Sequence, residues 1–202
     1  MAEMRWANKL LFSSAITQGA VYVIRPMMIY RAIELDASAT LIGFIAAIYA
    51  LFPVLLALTF GRLVGRVGEG RFVIIGTFFI GVSAVALIVA DSLIVVAIGA
   101  ALSGLAHLAC MVGGQTMVAL KSPTDKYDEY FGKYTFSASL GQMIGPILAT
   151  LVAGSTGVIP KSTSAAFALA LALSALAMIP VISWRADAPT VIAAKSDKGT
   201  LR

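Results

Sequence analysis

Apolar residues run along this chain in long blocks, not in the short alternating patterns of strands or the half-apolar stripes of water-soluble helices. Six blocks reach the roughly 20 residues that a bilayer span requires: about 10–30, 40–60, 72–90, 93–117, 134–154 and 164–184. They predict an all-α membrane protein of six transmembrane helices occupying 1–184, followed by a polar tail over 185–202. Within the blocks polar residues are few and recur at helical steps. The first carries Ser14, Gln18, Tyr22 and Arg25, the fourth Ser103, His107, Cys110 and Gly114, and the fifth Thr135, Ser139, Gln142 and Pro146. Steps of three and four place each set on one helix face. The third and sixth blocks are almost featureless and read as lipid-facing helices.

Composition agrees. Of 202 residues, 59% are hydrophobic and 12% charged, where a soluble domain carries about 25% charged residues. Little chain is left for a soluble domain. The net charge of +5 invites a nucleic-acid partner, but the distribution of the cations explains it better. With six spans, Arg5, Lys9, Arg62, Arg66, Arg71, Lys121, Lys126, Lys133, Arg185, Lys195, Lys198 and Arg202 fall on one side of the membrane, and only Arg31 and Lys161 on the other. Positive loops stay in the cytoplasm, so both termini are expected there, in a multi-pass protein of the cell or inner membrane with no nucleic-acid partner. The first apolar block is too long for a signal peptide and is interrupted by Arg25. The single cysteine, Cys110, offers neither a disulfide nor metal-ligand spacing; no metal or cofactor is expected. The only histidine, His107, has no nucleophile in a catalytic context beside it, so an enzyme is not expected.

A three-plus-three duplication is visible in one matched pair. "PVLLALTFG" (Pro53 to Gly61) and "PILATLVAG" (Pro146 to Gly154) share the Pro–Gly spacing and lie 93 residues apart. Repeats of about 1–92 and 93–184 would cross the membrane in opposite senses, an inverted repeat of the kind that builds secondary transporters. The stretch "GRLVGRVGEGR" (Gly61 to Arg71), between the second and third blocks, resembles the helix-two-to-three loop of the major facilitator superfamily, G-x-L-x-D-R-x-G-R-[RK]-x. Gly61, Leu63, Arg66 and Gly68 match, Gly65 stands at the aspartate position, and Arg71 restores a cation at the end. "GQMIGP" (Gly141 to Pro146) resembles the G-x-x-x-G-P signature of helix five in antiporter branches, with Ala149 and Thr150 where that signature continues with glycines. The resemblance covers nearly the whole chain and implies the N-terminal six-helix half of such a transporter. Its partners would be a small-molecule substrate, the lipid bilayer and a second six-helix half, supplied by a missing C-terminal part or a partner chain, with 185–202 as the start of a linker.

The resemblance also assigns roles. Gly61, Arg66, Gly68 and Arg71 would form a gating loop that latches the two halves in the outward-facing state, a contact that Gly65 cannot make; Glu69, four residues on, is the nearest carboxylate. For the same residues, setting the topology alone is an equal reading. Gly141 and Gly145 lie on one face where another backbone can approach closely; with Pro146 they form either a tight packing face or a flexible helix. Substrate-facing candidates are Gln18, Tyr22, Arg25, His107 and Gln142. Arg25 costs roughly 2.5–3.5 kcal/mol at a span centre; it either snorkels to the outer surface, pairs within the bundle, or serves as a cavity cation. His107 and the glutamines are interhelical hydrogen-bonding groups or substrate contacts. The expected function is alternating-access transport of a small molecule, with efflux as one direction. The alternative is a six-helix scaffold or assembly partner without transport activity.

Overall fold

In the computed structural model, residues 2–156, 159–160 and 162–182 are described, with side chains over 6–154, at Pro160 and over 162–182. The tail over 185–202 lies outside them, as does Lys161. Six long helices follow one another: α1 (Ala2–Glu34), α2 (Ala39–Val67), α3 (Glu69–Ile88), α4 (Leu93–Lys121), α5 (Tyr127–Ala153) and α6 (Thr163–Val181). A 3-10 turn, Thr124–Lys126, leads into α5, and a two-residue antiparallel pair, Ser155–Thr156 with Ile159–Pro160, precedes α6.

The helix ends have local causes. The side chain of Ser38 accepts the amide of Leu41 at the start of α2, and that of Ser162 accepts Ala165 at the start of α6, each satisfying a backbone donor that the first turn leaves unpaired. Asp36 in the left-handed region closes the turn after α1, and Gly154 follows α5 with φ 64. Between α2 and α3 the break is one residue, Gly68, with φ 96.

That last junction corrects an expectation: 61–71 is not a loop. Helix α2 runs on to Val67, because Phe60, Val64 and Val67 continue its apolar period and pack with Phe72 and Ala109. Gly61 and Gly65 are helical, Arg62 and Arg66 ride on the last two turns, and Arg71 lies in the first turn of α3.

Helix α1 is the centre of the bundle. It packs along α5 and α6 and touches α4, α3 and α2; α3 lies along α4 and α6, and α2 rests on α4. Ala20, Val21, Val23, Ile24 and Ala32 are fully buried. Among the described residues, five stretches are long and apolar enough to cross a membrane, namely α2, α3, α4, Thr124–Ala153 and α6. The expected six reduce to five because Ser13, Ser14, Thr17, Gln18 and Arg25 dilute α1. Its protein-facing position accommodates them: Ser13 Oγ donates to the carbonyl of Ala177 at 3.1 Å, and Ser14, Thr17 and Gln18 are buried.

The third helix, expected to face lipid, does so on one row only. Helix α3 is the most buried of the five spans, 56% of its most apolar window being inside the structure, against 11% for α2. Small residues set this. A Cβ on Gly76 would lie 2.6 Å from Cys110 Sγ, and one on Gly81 would lie 2.8 Å from Ser174 Oγ. In α6, Leu176 and Ile179 remain exposed while Ala166, Phe167, Ala170 and Ala177 are fully buried.

Candidate functional site

Two close helix crossings hold the polar residues in place. At the first, α5 meets α1: a Cβ on Gly141 would fall 2.0 Å from the carbonyl of Ala15, and one on Gly145 would fall 2.7 Å from the carbonyl of Gly19. At the second, α2 meets α4: a Cβ on Gly104 would fall 2.1 Å from the carbonyl of Tyr49. Only glycine permits such backbone approach. The first crossing sets Gln142 beside Gln18; the second sets Tyr49 beside His107.

The four side chains form one hydrogen-bonded chain. His107 Nε2 lies 3.1 Å from Gln18 Oε1, and Gln142 Nε2 donates to the same oxygen at 3.4 Å. Gln18 Nε2 points to Met111 Sδ at 2.9 Å. Tyr49 Oη lies 2.9 Å from His107 Nδ1. Donors and acceptors assign the directions. Gln18 Oε1 can only accept, so His107 donates from Nε2; the neutral ring then accepts at Nδ1, and Tyr49 donates. Every partner in this chain is used with His107 neutral.

Arg25 joins at the other end. Its guanidinium carbon sits 5.0 Å from the ring centres of both Tyr22 and Tyr49, a cation–π clamp of about 0.5–2 kcal/mol per ring depending on desolvation. Tyr49 therefore bridges the cation and the imidazole. Arg25 is exposed, and among the described residues no carboxylate pairs with it. Helix α1 ends at Glu34, nine residues on, about 14 Å at the helical rise. The contact that Arg25 makes is a lateral cation–π one within the bundle. Gln18 and Arg25 stand about 10 Å apart along α1, so the polar strip runs along the middle of that helix. Gln18 is buried, His107, Gln142 and Tyr22 are half-buried, and Arg25 and Pro146 are exposed.

A comparison with protein families matches residues 10–201 to the Major Facilitator Superfamily. The chain belongs to the major facilitator superfamily. No curated protein matches it significantly. Members of this superfamily are multi-pass membrane transporters of small molecules rather than enzymes.

The remaining superfamily-motif residues lie elsewhere. Gly61 and Arg66 are on the end of α2, Gly68 is the break, and Arg71 begins α3, all at the end of the bundle opposite Glu34. Glu69 is buried there, with Oε1 3.6 Å from Lys121 Nζ, so its carboxylate is turned to the end of α4. The polar faces read from the sequence do not all converge. Cys110 turns to α3, with Sγ 3.7 Å from Thr77 Oγ1 and 3.8 Å from the carbonyl of Val73. Ser103 is fully buried, and Thr135 and Ser139 face outward on α5.

Tyr49 was not a sequence candidate, yet it is the link between Arg25 and His107. A signal existed: Tyr49 and Gln142 are separated by the same 93 residues as Pro53 and Pro146. A second cluster was also unforeseen. At the Glu34 end of the bundle Arg31 pairs with Glu34 at 2.9 Å, donates to the carbonyl of Ile88 at 3.3 Å and hydrogen-bonds Ser164, while Thr163 donates to Glu34 at 2.7 Å. This clasp ties α1, α3 and α6 together.

Proposed function

We propose that the chain is one six-span half of a secondary transporter that works by alternating access, with Gln18, Tyr22, Arg25, His107 and Gln142 on its cavity wall. Tyr49 joins them. The observation that carries this reading is the hydrogen-bonded strip from Gln142 through Gln18, His107 and Tyr49 to Arg25. It ends in an exposed cation, with no carboxylate partner among the described residues, in the middle of a membrane helix, an arrangement whose cost is hard to account for unless the strip faces a water-filled path. Helix α1, polar yet central, is the sixth span. Bundle 1–184 is then two repeats, about 1–92 and 93–184. Packing supports the inverted repeat: exchanging α1, α2 and α3 for α4, α5 and α6 turns the α1–α5 contact into α4–α2, and α1–α6 into α4–α3. The pair Gln18–Met111 spans the same 93 residues.

On this reading both termini are in the cytoplasm of the cell or inner membrane and 185–202 begins a linker. A second six-helix half covers the open faces of α2 and α5. Gly141, Gly145 and Pro146 let α5 flex at that seam, in the manner of an antiporter-like branch, and Gly61, Arg66, Gly68 and Arg71 form a gating pivot with Gly68 as its hinge. One bundle supplies one wall, so the half alone does not transport. The test is substrate uptake by vesicles holding the assembled transporter. Gln18→Leu, Arg25→Gln and His107→Leu should each abolish it. Full activity in all three would favour a scaffold instead, and uptake by verified single halves would contradict the pairing.

A further inference from the structure

The three arginines around Gly68 sit beside an apolar groove that the transport reading does not use. The groove lies between α2, α3 and α4, with a volume of about 280 Å³, and is lined by Phe60, Leu63, Phe72, Ile75, Phe79 and Leu105, among others. A second hollow, formed by Thr59, Arg62, Leu63 and Arg66, adjoins it and shares Leu63. Arg71 lies four and eight residues before Ile75 and Phe79, hence on the same face of α3. Arg62, Arg66 and Arg71 are exposed, and among the described residues no acid pairs with them; the acid nearest in sequence, Glu69, is buried towards Lys121. From Gly68 to the level of Phe79 the groove runs about 16 Å at the helical rise, roughly half the 30 Å of a hydrocarbon core. The same end of the bundle carries stacked Trp6 and Tyr130, the aromatic signature of a membrane interface.

We propose that this is a binding site for one anionic phospholipid, its acyl chain in the α2–α3–α4 groove and its phosphate on Arg62, Arg66 and Arg71. Charge decides the occupant. A larger apolar groove of about 420 Å³ between α3 and α6, lined by Phe78, Gly81, Leu171 and Met178, has no cation among its described lining residues. That groove accepts any lipid tail; the arginine-rimmed one selects the headgroup as well. The site stands independently of the transported substrate, so its failure would leave the transport reading intact.

The test is native mass spectrometry of the full chain in detergent, titrated with palmitoyl-oleoyl phosphatidylglycerol or its phosphatidylcholine counterpart. The chain should retain one phosphatidylglycerol in clear preference. An arginine near a charged lipid surface contributes about fivefold, so Arg62→Gln with Arg66→Gln should weaken that preference about 25-fold. Lys126→Gln with Lys133→Gln, an equal charge change at the same end, should leave it unchanged. Leu105→Trp, which fills the groove, should expel the lipid, and glycerol 3-phosphate, a headgroup without a tail, should not compete. Equal retention of the two lipids, an unchanged preference in the arginine double variant, or full competition by glycerol 3-phosphate would each overturn the site.

Discussion

Helices α1 and α2 are inverted with respect to soluble-protein intuition. Helix α1 carries Ser13, Ser14, Thr17, Gln18 and Arg25 and is the most enclosed element; α2 is the most apolar of the five spans and the least enclosed. Leu58, Val54 and Leu55 on α2 are 79%, 73% and 65% exposed. In a bilayer, lipid tails are as apolar as leucine, so hydrophobicity does not drive a helix into the bundle. Two other things do: polar groups that need partners, and small residues that let backbones meet. Helix α1 has both, through Gln18 and Gly19; α2 meets α4 closely at Tyr49 and Pro53 against Gly104 and otherwise packs only its last turns, Phe60, Val64 and Val67, against Phe72 and Ala109.

Glycine substitutions should break this contrast most strongly. Gly141→Ala and Gly104→Ala force a Cβ to within 2.0 and 2.1 Å of a backbone oxygen, an overpacking that costs about 3 kcal/mol. Cys110 is the only cysteine and is buried, so thiol-dye labelling on heating in detergent reads the loss directly. Next in size is the polar strip. Gln18→Leu leaves His107 and Gln142 without their shared acceptor and should cost about 2 kcal/mol, whereas Tyr49→Phe removes one hydrogen bond and should cost about 1 kcal/mol, measured the same way. The smallest effect has the opposite sign. Gly65→Ala on α2 meets nothing within 4 Å and relieves a glycine inside a helix, so labelling should be delayed by the equivalent of about 0.5–1 kcal/mol. Equal responses of Gly65 and Gly141 would erase the distinction between the two helices.

Much of this was legible in the sequence, and the gaps have physical reasons. Block lengths gave the helices, and the steps from Gln18 to Arg25 placed that stretch on one face. Whether α3 faces lipid was not legible, because "FVIIGTFFIGVSAVALIVA" is apolar on every side and only contact reveals that Gly76 and Gly81 are packing points. The 61–71 stretch misled because glycine and arginine are loop residues in water; here Phe60, Val64 and Val67 keep the helix going between them, and only Gly68 leaves it. Tyr49 escaped because its hydroxyl has no polar neighbour in sequence; its partner is 58 residues away.

The central claim is that the strip on α1, α4 and α5 faces water in the membrane while the outer row of α3 faces lipid. In a Cys110→Ser background, single cysteines at Arg25, Gln142 and Phe78 can be challenged with a membrane-impermeant maleimide in intact and opened vesicles. The account predicts that the cysteines replacing Arg25 and Gln142 react from at least one side of the membrane and that the one replacing Phe78, 56% exposed on α3, does not. Unreactive cysteines at both strip positions beside a reactive one at 78 would contradict it.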